Sequence, residues 1–226
     1  RLGFACRFQV EISDYATRVL ERHWPGVPRW GDIWGFLSTL RASGAEPPYV
    51  DILCGGLPCQ PVSMAGNRKG ASDERWLWEP FRGVIEIIGP RYVVIENVPG
   101  LLSADSGRLF GGILRDLASF GYDAEWEVLP AAAFGLPHLR KRLFVIAHSD
   151  ESRLEERQDQ EERQGDVRYE GSSTNEGSWR SIEPTVCGGY HGVPSRVDRI
   201  KCLGNAVVPP ISEWIAGRIL DHAGAG

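Results

Sequence analysis

Apolar and polar positions switch between two periods along the first half of the chain. Residues 4–11 read as a strand ending in an acid, Glu11, and residues 14–23 continue with helical spacing, for which Asp14 is a suitable N-cap. Trp24-Pro25-Gly26-Val27-Pro28 breaks that helix, and a short strand is expected before Gly31-Asp32-Ile33. Residues 49–54 form a short apolar strand that runs into Gly55-Gly56, residues 76–88 return to helical periodicity, and Tyr92-Val93-Val94-Ile95 is a buried-strand run. In residues 107–120, Ile113, Leu114, Leu117 and Phe120 recur at three- and four-residue spacing, which predicts an amphipathic helix. Two later strands are expected over residues 124–129 and 142–147. A final helix is expected over residues 210–222, with Pro210 in its first turn.

Alternation of this kind predicts an α/β fold, a mixed and mostly parallel sheet with helices on both faces. Ligands of such sheets bind beyond the carboxyl ends of strands. Glu11, Asp32, Cys59 and Glu96 each follow a predicted strand. Residues 149–181 change character: they are acidic, rich in Gln, Ser and Gly and poor in apolar side chains, as expected of a weakly structured insert.

Composition narrows this picture. A chain of 226 residues with 42% hydrophobic content can bury a full core. No apolar run approaches the ~18 residues that a membrane span needs, and no signal peptide is visible, so a cytoplasmic protein is expected. The cysteines (Cys6, Cys54, Cys59, Cys187 and Cys202) are scattered with no CxxC pair, which argues for reduced thiols and against zinc. The net charge of −5 is local: residues 150–176 hold ten acids and four arginines, a balance of −6 that leaves the remainder at +1. The rest of the chain can therefore still present a basic cleft.

Chemistry concentrates on one loop. Cys59 is flanked by Gly55, Gly56, Pro58 and Pro61, so the backbone can approach a ligand closely and the turn is stiff. A thiol there can be exposed, and neighbouring cations would favour the thiolate. A lone loop cysteine is more often only a packing residue. A strand-end glutamate such as Glu96 can merely cap a turn, and a cluster such as Arg140-Lys141-Arg142 is usually a solvated face.

The order of the motifs changes that weighting. Gly56-Leu57-Pro58-Cys59-Gln60 followed by Glu96-Asn97-Val98-Pro99-Gly100 resembles the cytosine-C5 DNA methyltransferases of the phage, prophage or restriction–modification type. Phe134-Gly135-Leu136-Pro137-His138-Leu139-Arg140-Lys141-Arg142 is similar to the family's basic motif, and Leu203-Gly204-Asn205-Ala206-Val207-Val208-Pro209 to its carboxyl-terminal one. The resemblance covers nearly the whole chain outside the acidic insert. It implies a Rossmann-like S-adenosylmethionine-dependent fold with a catalytic core over residues 1–148. An insert and small target-recognition region would span residues 149–200, and a carboxyl-terminal motif and helix, residues 201–226, would return to the core.

The resemblance also implies roles. Cytosine C5 is too weak a nucleophile to attack a methyl sulfonium unaided, so the Cys59 thiolate adds to C6 of a flipped base and makes the ring enamine-like. Glu96, protonated because it is partly buried, offsets charge at N3. Arg140 and Arg142 bind O2 and the adjoining phosphate. A water near Asn97 is expected to remove the C5 proton. The donor S-adenosylmethionine would be held by Glu11 on its ribose, Ile12 on the adenine, Asp32 and Ile33 at the amino edge, and Pro58, Asn205 and Ala206 around the pocket. Trp76, Leu77 and Trp78 fall where the family has a further cofactor contact, with core packing as the competing reading.

Two departures matter. Family members open with a strand and a Phe-x-Gly-x-Gly loop around the donor's methionine part, whereas Leu2-Gly3-Phe4 resembles the helix that follows it. With Arg1 first and Met64 as the only methionine, the expectation is an amino-terminally truncated piece that binds the donor poorly by itself. His138 stands where the family has Gln, so a tuned site is expected. Target recognition would rest on Trp179-Arg180, Tyr190-His191-Gly192 and residues 196–201, and residues 192–199 resemble the compact region of phage-type members. Expected partners are double-stranded DNA and a cognate restriction endonuclease, with the enzyme a monomer. Three rival readings remain: a tRNA cytosine-C5 methyltransferase, an inactive DNA-binding paralogue, and an unrelated cysteine or redox enzyme that lacks its paired base or resolving thiol.

Overall fold

The computed structural model of the chain describes residues 3–44, 46–58, 76–149, 197 and 205–224. Cys59, the acidic insert beyond Ser149 and, apart from Val197, the proposed DNA-facing groups from Trp179 to Lys201 lie outside the described residues. The elements in chain order are β1 (Gln9–Val10), α1 (Asp14–His23), β2 (Arg29–Trp30), α2 (Ile33–Ala42), β3 (Ile52–Gly56), α3 (Trp78–Ile88), β4 (Tyr92–Asn97), a 3-10 segment (Pro99–Gly107), α4 (Arg108–Ser119), β5 (Tyr122–Pro130), a short 3-10 turn (Ala131–Phe134), β6 (Lys141–Ser149) and α5 (Pro209–Ala223).

Strands β1 and β2 pair in parallel, and a four-stranded sheet runs β3-β4-β6-β5. β3 is parallel to β4, whereas β6 is antiparallel to both β4 and β5. The mixed α/β architecture agrees with the sequence. Its antiparallel half comes from the link between β5 and β6, residues 131–140, which holds no crossover helix and so must return the chain as a hairpin.

Alternate side chains of the central strands feed two cores. Val93 and Ile95 of β4, with Leu143, Val145 and Ala147 of β6, point into a cluster with Phe36, Leu37, Phe81, Ile85, Ile113 and Leu117 from α2, α3 and α4. Tyr92 of β4 and Phe144 of β6 point the other way, to Ile211, Ile215 and Ile219 of α5. This period-two division puts helices on both faces and leaves the strand ends for chemistry. Gly55 is required by one contact of the first core, because a Cβ there would lie 2.8 Å from Cε2 of Phe81.

The local expectations shift in small ways. The N-cap of α1 is Ser13, whose side chain accepts from the Ala16 N–H; Asp14 is the first helical residue, where its charge suits the helix dipole. Only Gln9 and Val10 of the first predicted strand pair with a neighbour, and β5 and β6 are each longer than their apolar runs. Trp78 is 5% exposed and its indole N–H donates to Asp116 at 2.8 Å, so core packing accounts for this tryptophan. No helix among the described residues is long and apolar enough to cross a membrane.

Candidate active site

Strand β4 ends in Glu96-Asn97, and the register pairs Gly56 of β3 with Glu96 and Leu143 of β6 with Asn97. The two polar side chains therefore emerge where β3 gives way to the loop toward Pro58 and where β6 begins. Gly56 lies against the acid: a Cβ on it would be in van der Waals contact with Oε2 of Glu96 at 3.4 Å.

Glu96 is shielded and paired. Its Oε1 accepts from Nε of Arg142 at 2.9 Å, with the two side chains only 15% and 23% exposed. Burial pushes the Glu96 carboxyl above the usual carboxylate range, and the positive charges of Arg142 and Arg140 pull against that without reversing it. Burial, followed by the like charge of Arg142, presses Arg140 below its ordinary value, although a guanidinium remains cationic throughout the physiological range. A partly buried acid whose pKa is raised can, when protonated, donate to a ring nitrogen while the two neighbouring arginines take up oxygen charge.

Asn97 turns inward from the same strand end. It is 2% exposed, its Nδ2 donates to the carbonyl of Leu57 at 3.2 Å, and its Oδ1 accepts from the Val98 N–H at 2.9 Å. Both ends of the amide are engaged, so Asn97 ties the strand end to the loop entering Pro58. The Leu57 contact leaves no signature in residue type, because its acceptor is a backbone atom.

Arg140 reaches a different part of the chain. Its Nη2 donates to the carbonyl of Ala206 at 2.7 Å, joining the basic motif to the carboxyl-terminal one. Asn205 and Ala206 are themselves exposed. Nδ1 of His138 is buried with no hydrogen-bond partner among the described residues.

The remaining expected residues sit at the ends of β1 and β2. Glu11 accepts from the Ser13 N–H at 2.8 Å through Oε1, and Ile12 beside it is 79% exposed, an apolar side chain turned to solvent. Asp32 caps α2, with Oδ2 accepting from the Gly35 N–H at 2.7 Å, whereas Ile33 packs against the core. Trp34, half exposed next to them, was not anticipated. Pro58 is exposed at the edge of the described loop, and Cys59 lies outside the described residues.

Comparison with known proteins gives one consistent answer. Residues 1–186 match the family model for C-5 cytosine-specific DNA methylase. The chain is 34% identical over 154 residues to the Type II methyltransferase M.DsaV of Dactylococcopsis salina, covering 67% of this chain and 41% of that protein. It is 35% identical over 158 residues to the Type II methyltransferase M.BsuFI of Bacillus subtilis, covering 66% and 37%. With M.NgoBI of Neisseria gonorrhoeae the identity is 36%, covering 66% and 47%. The chain thus spans less than half the length of these curated relatives. A solved structure described as a DNA modification methyltransferase encoded within an E. coli prophage shares the fold, with a TM-score of 0.52 at 22% identity over 68% of this chain and 42% of that one.

Proposed function

The chain belongs to the C-5 cytosine-specific DNA methylase family, and from that premise we propose that the protein methylates C5 of cytosine in double-stranded DNA, as the modification arm of a restriction–modification system. The observation that carries the reading is the shielded Glu96–Arg142 pair at the end of β4, beside a loop that Asn97 holds by its backbone.

The chemistry follows from those groups. The Cys59 thiolate forms a bond to C6 of a cytosine flipped from the duplex, and the C5–C6 π pair shifts toward C5. Glu96, its proton favoured by burial, donates at N3 and so neutralises the charge that addition creates. Arg140 and Arg142 hold O2 and the neighbouring phosphate. Asn97 positions the loop through one bond at each amide end, and a water beside it is the candidate acceptor of the C5 proton. After methylation a base takes the C5 proton, the electron pair restores the double bond, and the bond to Cys59 sulfur breaks.

S-adenosylmethionine, when bound, supplies the electrophilic methyl group. The described residues suit its nucleoside half: Glu11 has a second carboxylate oxygen for a ribose diol, and Ile12 offers an exposed apolar face for an adenine. Asp32 retains one oxygen beyond its capping bond, and Asn205, Ala206 and Pro58 would complete the pocket. The resemblance further supports a cytoplasmic monomer acting with a cognate endonuclease.

The test is covalent capture. The full natural protein is incubated with labelled S-adenosylmethionine and 5-fluorocytosine in duplex DNA or in tRNA. A denaturation-resistant labelled adduct on DNA, lost in Cys59→Ser, is the expected result. An adduct on tRNA alone moves the substrate to RNA, and no adduct on either overturns the proposal.

A further inference from the structure

The loop that carries Arg140 connects two strands without a regular element longer than one 3-10 turn. Residues 131–140 bridge β5 and β6, and the backbone bonds among them include Ala131 N–H to the Arg140 carbonyl at 3.2 Å, Leu136 N–H to the Ala131 carbonyl at 3.3 Å, and Gly135 N–H to the Ala132 carbonyl at 3.2 Å. Gly135 sits at φ 81, the left-handed turn that only glycine takes without strain. A loop of this length also takes its position from what packs on it.

Ala131 is buried in the second core, with Phe134 and Leu136 packed against it, and two further contacts come from α5 and the residues before it. The ring of Trp214 meets the ring of Phe134 edge to face, with centroids 5.9 Å apart and planes at 68°. Just before α5, the carbonyl of Ala206 receives the Arg140 guanidinium. The helix is moored independently of Trp214: Ile211, Ile215 and Ile219 are buried on the sheet, and His222 Nδ1 lies 2.9 Å from the Tyr92 hydroxyl. Trp214 itself is 48% exposed, at the border of that buried stripe. Its indole therefore does little to hold α5 down, and its described ring contact is directed at the loop.

We propose that Trp214 is a positioning residue for Arg140. It pins Phe134 so that the loop delivers the Arg140 guanidinium to the same place each time, beside Arg142 at the start of β6. This rests on the proposed cytosine chemistry, in which a displacement of that guanidinium by about 1 Å is enough to cost up to about a hundredfold in rate.

The experiment compares Trp214→Ala and Trp214→Phe with the wild-type protein by two measurements. The first is backbone amide exchange at Ala131 and Leu136 against that of β4 and β6. The second needs no methyl donor: C5 of cytosine in duplex DNA is followed for exchange in deuterated water. Addition of the thiolate to C6 lets C5 take a deuteron from solvent, and reversal expels the original proton as the carbon–sulfur bond breaks. In Trp214→Ala the loop amides should exchange about tenfold faster while the strands keep their protection. Cytosine exchange at saturating DNA should fall about tenfold. Trp214→Phe, which keeps a ring against Phe134, should restore both. Unchanged loop amides in Trp214→Ala overturn the proposal, and so does a loosened loop with undiminished cytosine exchange. A wild-type protein that exchanges no cytosine hydrogen overturns the functional reading, while the amide measurement still decides whether Trp214 braces the loop.

Discussion

Nε of Arg142 and Oε1 of Glu96 lie 2.9 Å apart where β4 ends and β6 begins, and yet the pKa of the acid is raised. Burial outweighs the cation. The carboxyl thus holds its proton to higher pH than an exposed glutamate does, and its neighbour marks where oxygen charge would settle.

The pH dependence follows directly. Because the folded state raises the Glu96 pKa, protonation of Glu96 contributes stability that is fully present below the ordinary glutamate value and is lost as pH rises through the elevated one. Methylation should decline over that same alkaline side, above the usual carboxylate range. In Glu96→Gln, a pH–rate profile should show a lower maximum and no such limb. A limb that survives the substitution would assign it to another group.

Arg142→Ala leaves Glu96 buried without its nearest cation. Loss of a charge-assisted bond of this kind costs about 2 kcal/mol, to be read as a shift in urea midpoint at unchanged slope. The Glu96 pKa should rise further, because the strongest opposing charge is gone. Arg142→Lys should recover part of the charge effect but not the guanidinium geometry.

Asn97→Ala removes a buried donor from the Leu57 carbonyl and a buried acceptor from the Val98 N–H. About 2 kcal/mol of stability should be lost in denaturant titration. Methyl transfer should fall further than the loss of folded protein explains, because the loop leading to Cys59 loses its tie. Equal losses in both measurements would reduce Asn97 to a structural role.

Gly55→Ala tests the tight approach of β3 to α3. The added carbon would meet the Phe81 ring at 2.8 Å, and relieving that overlap should cost about 1–3 kcal/mol. Combining it with Phe81→Leu should return part of the loss, a coupling that a double-mutant cycle measures.

Much of this was legible in the sequence because it was written in periods and in residue type. Val93 and Ile95, alternating with Tyr92 and Val94, announce a strand buried on two faces, and Glu96 and Arg142 announce charge where a strand ends. What escaped depends on partners distant in the chain or on backbone atoms. Asn97 looks like a group available to solvent until the Leu57 carbonyl takes its amide. Trp78 looks equally suited to a pocket or a core until Asp116, 38 residues away, binds its indole. The reversed direction of β6 follows from a link too short for a crossover, which strand-by-strand reading does not weigh.

The bond from Arg140 to Ala206 spans 66 residues of sequence. On the ribosome, a nascent chain can complete β6 and bury the Glu96–Arg142 pair well before residue 206 has left the exit tunnel. Until then Arg140 lacks this anchor, and the loop is without α5 against it. At ordinary synthesis rates of about 5–20 residues per second, that is a delay of several seconds. An unfinished chain would therefore hold the acid and one arginine without the anchored geometry of the other.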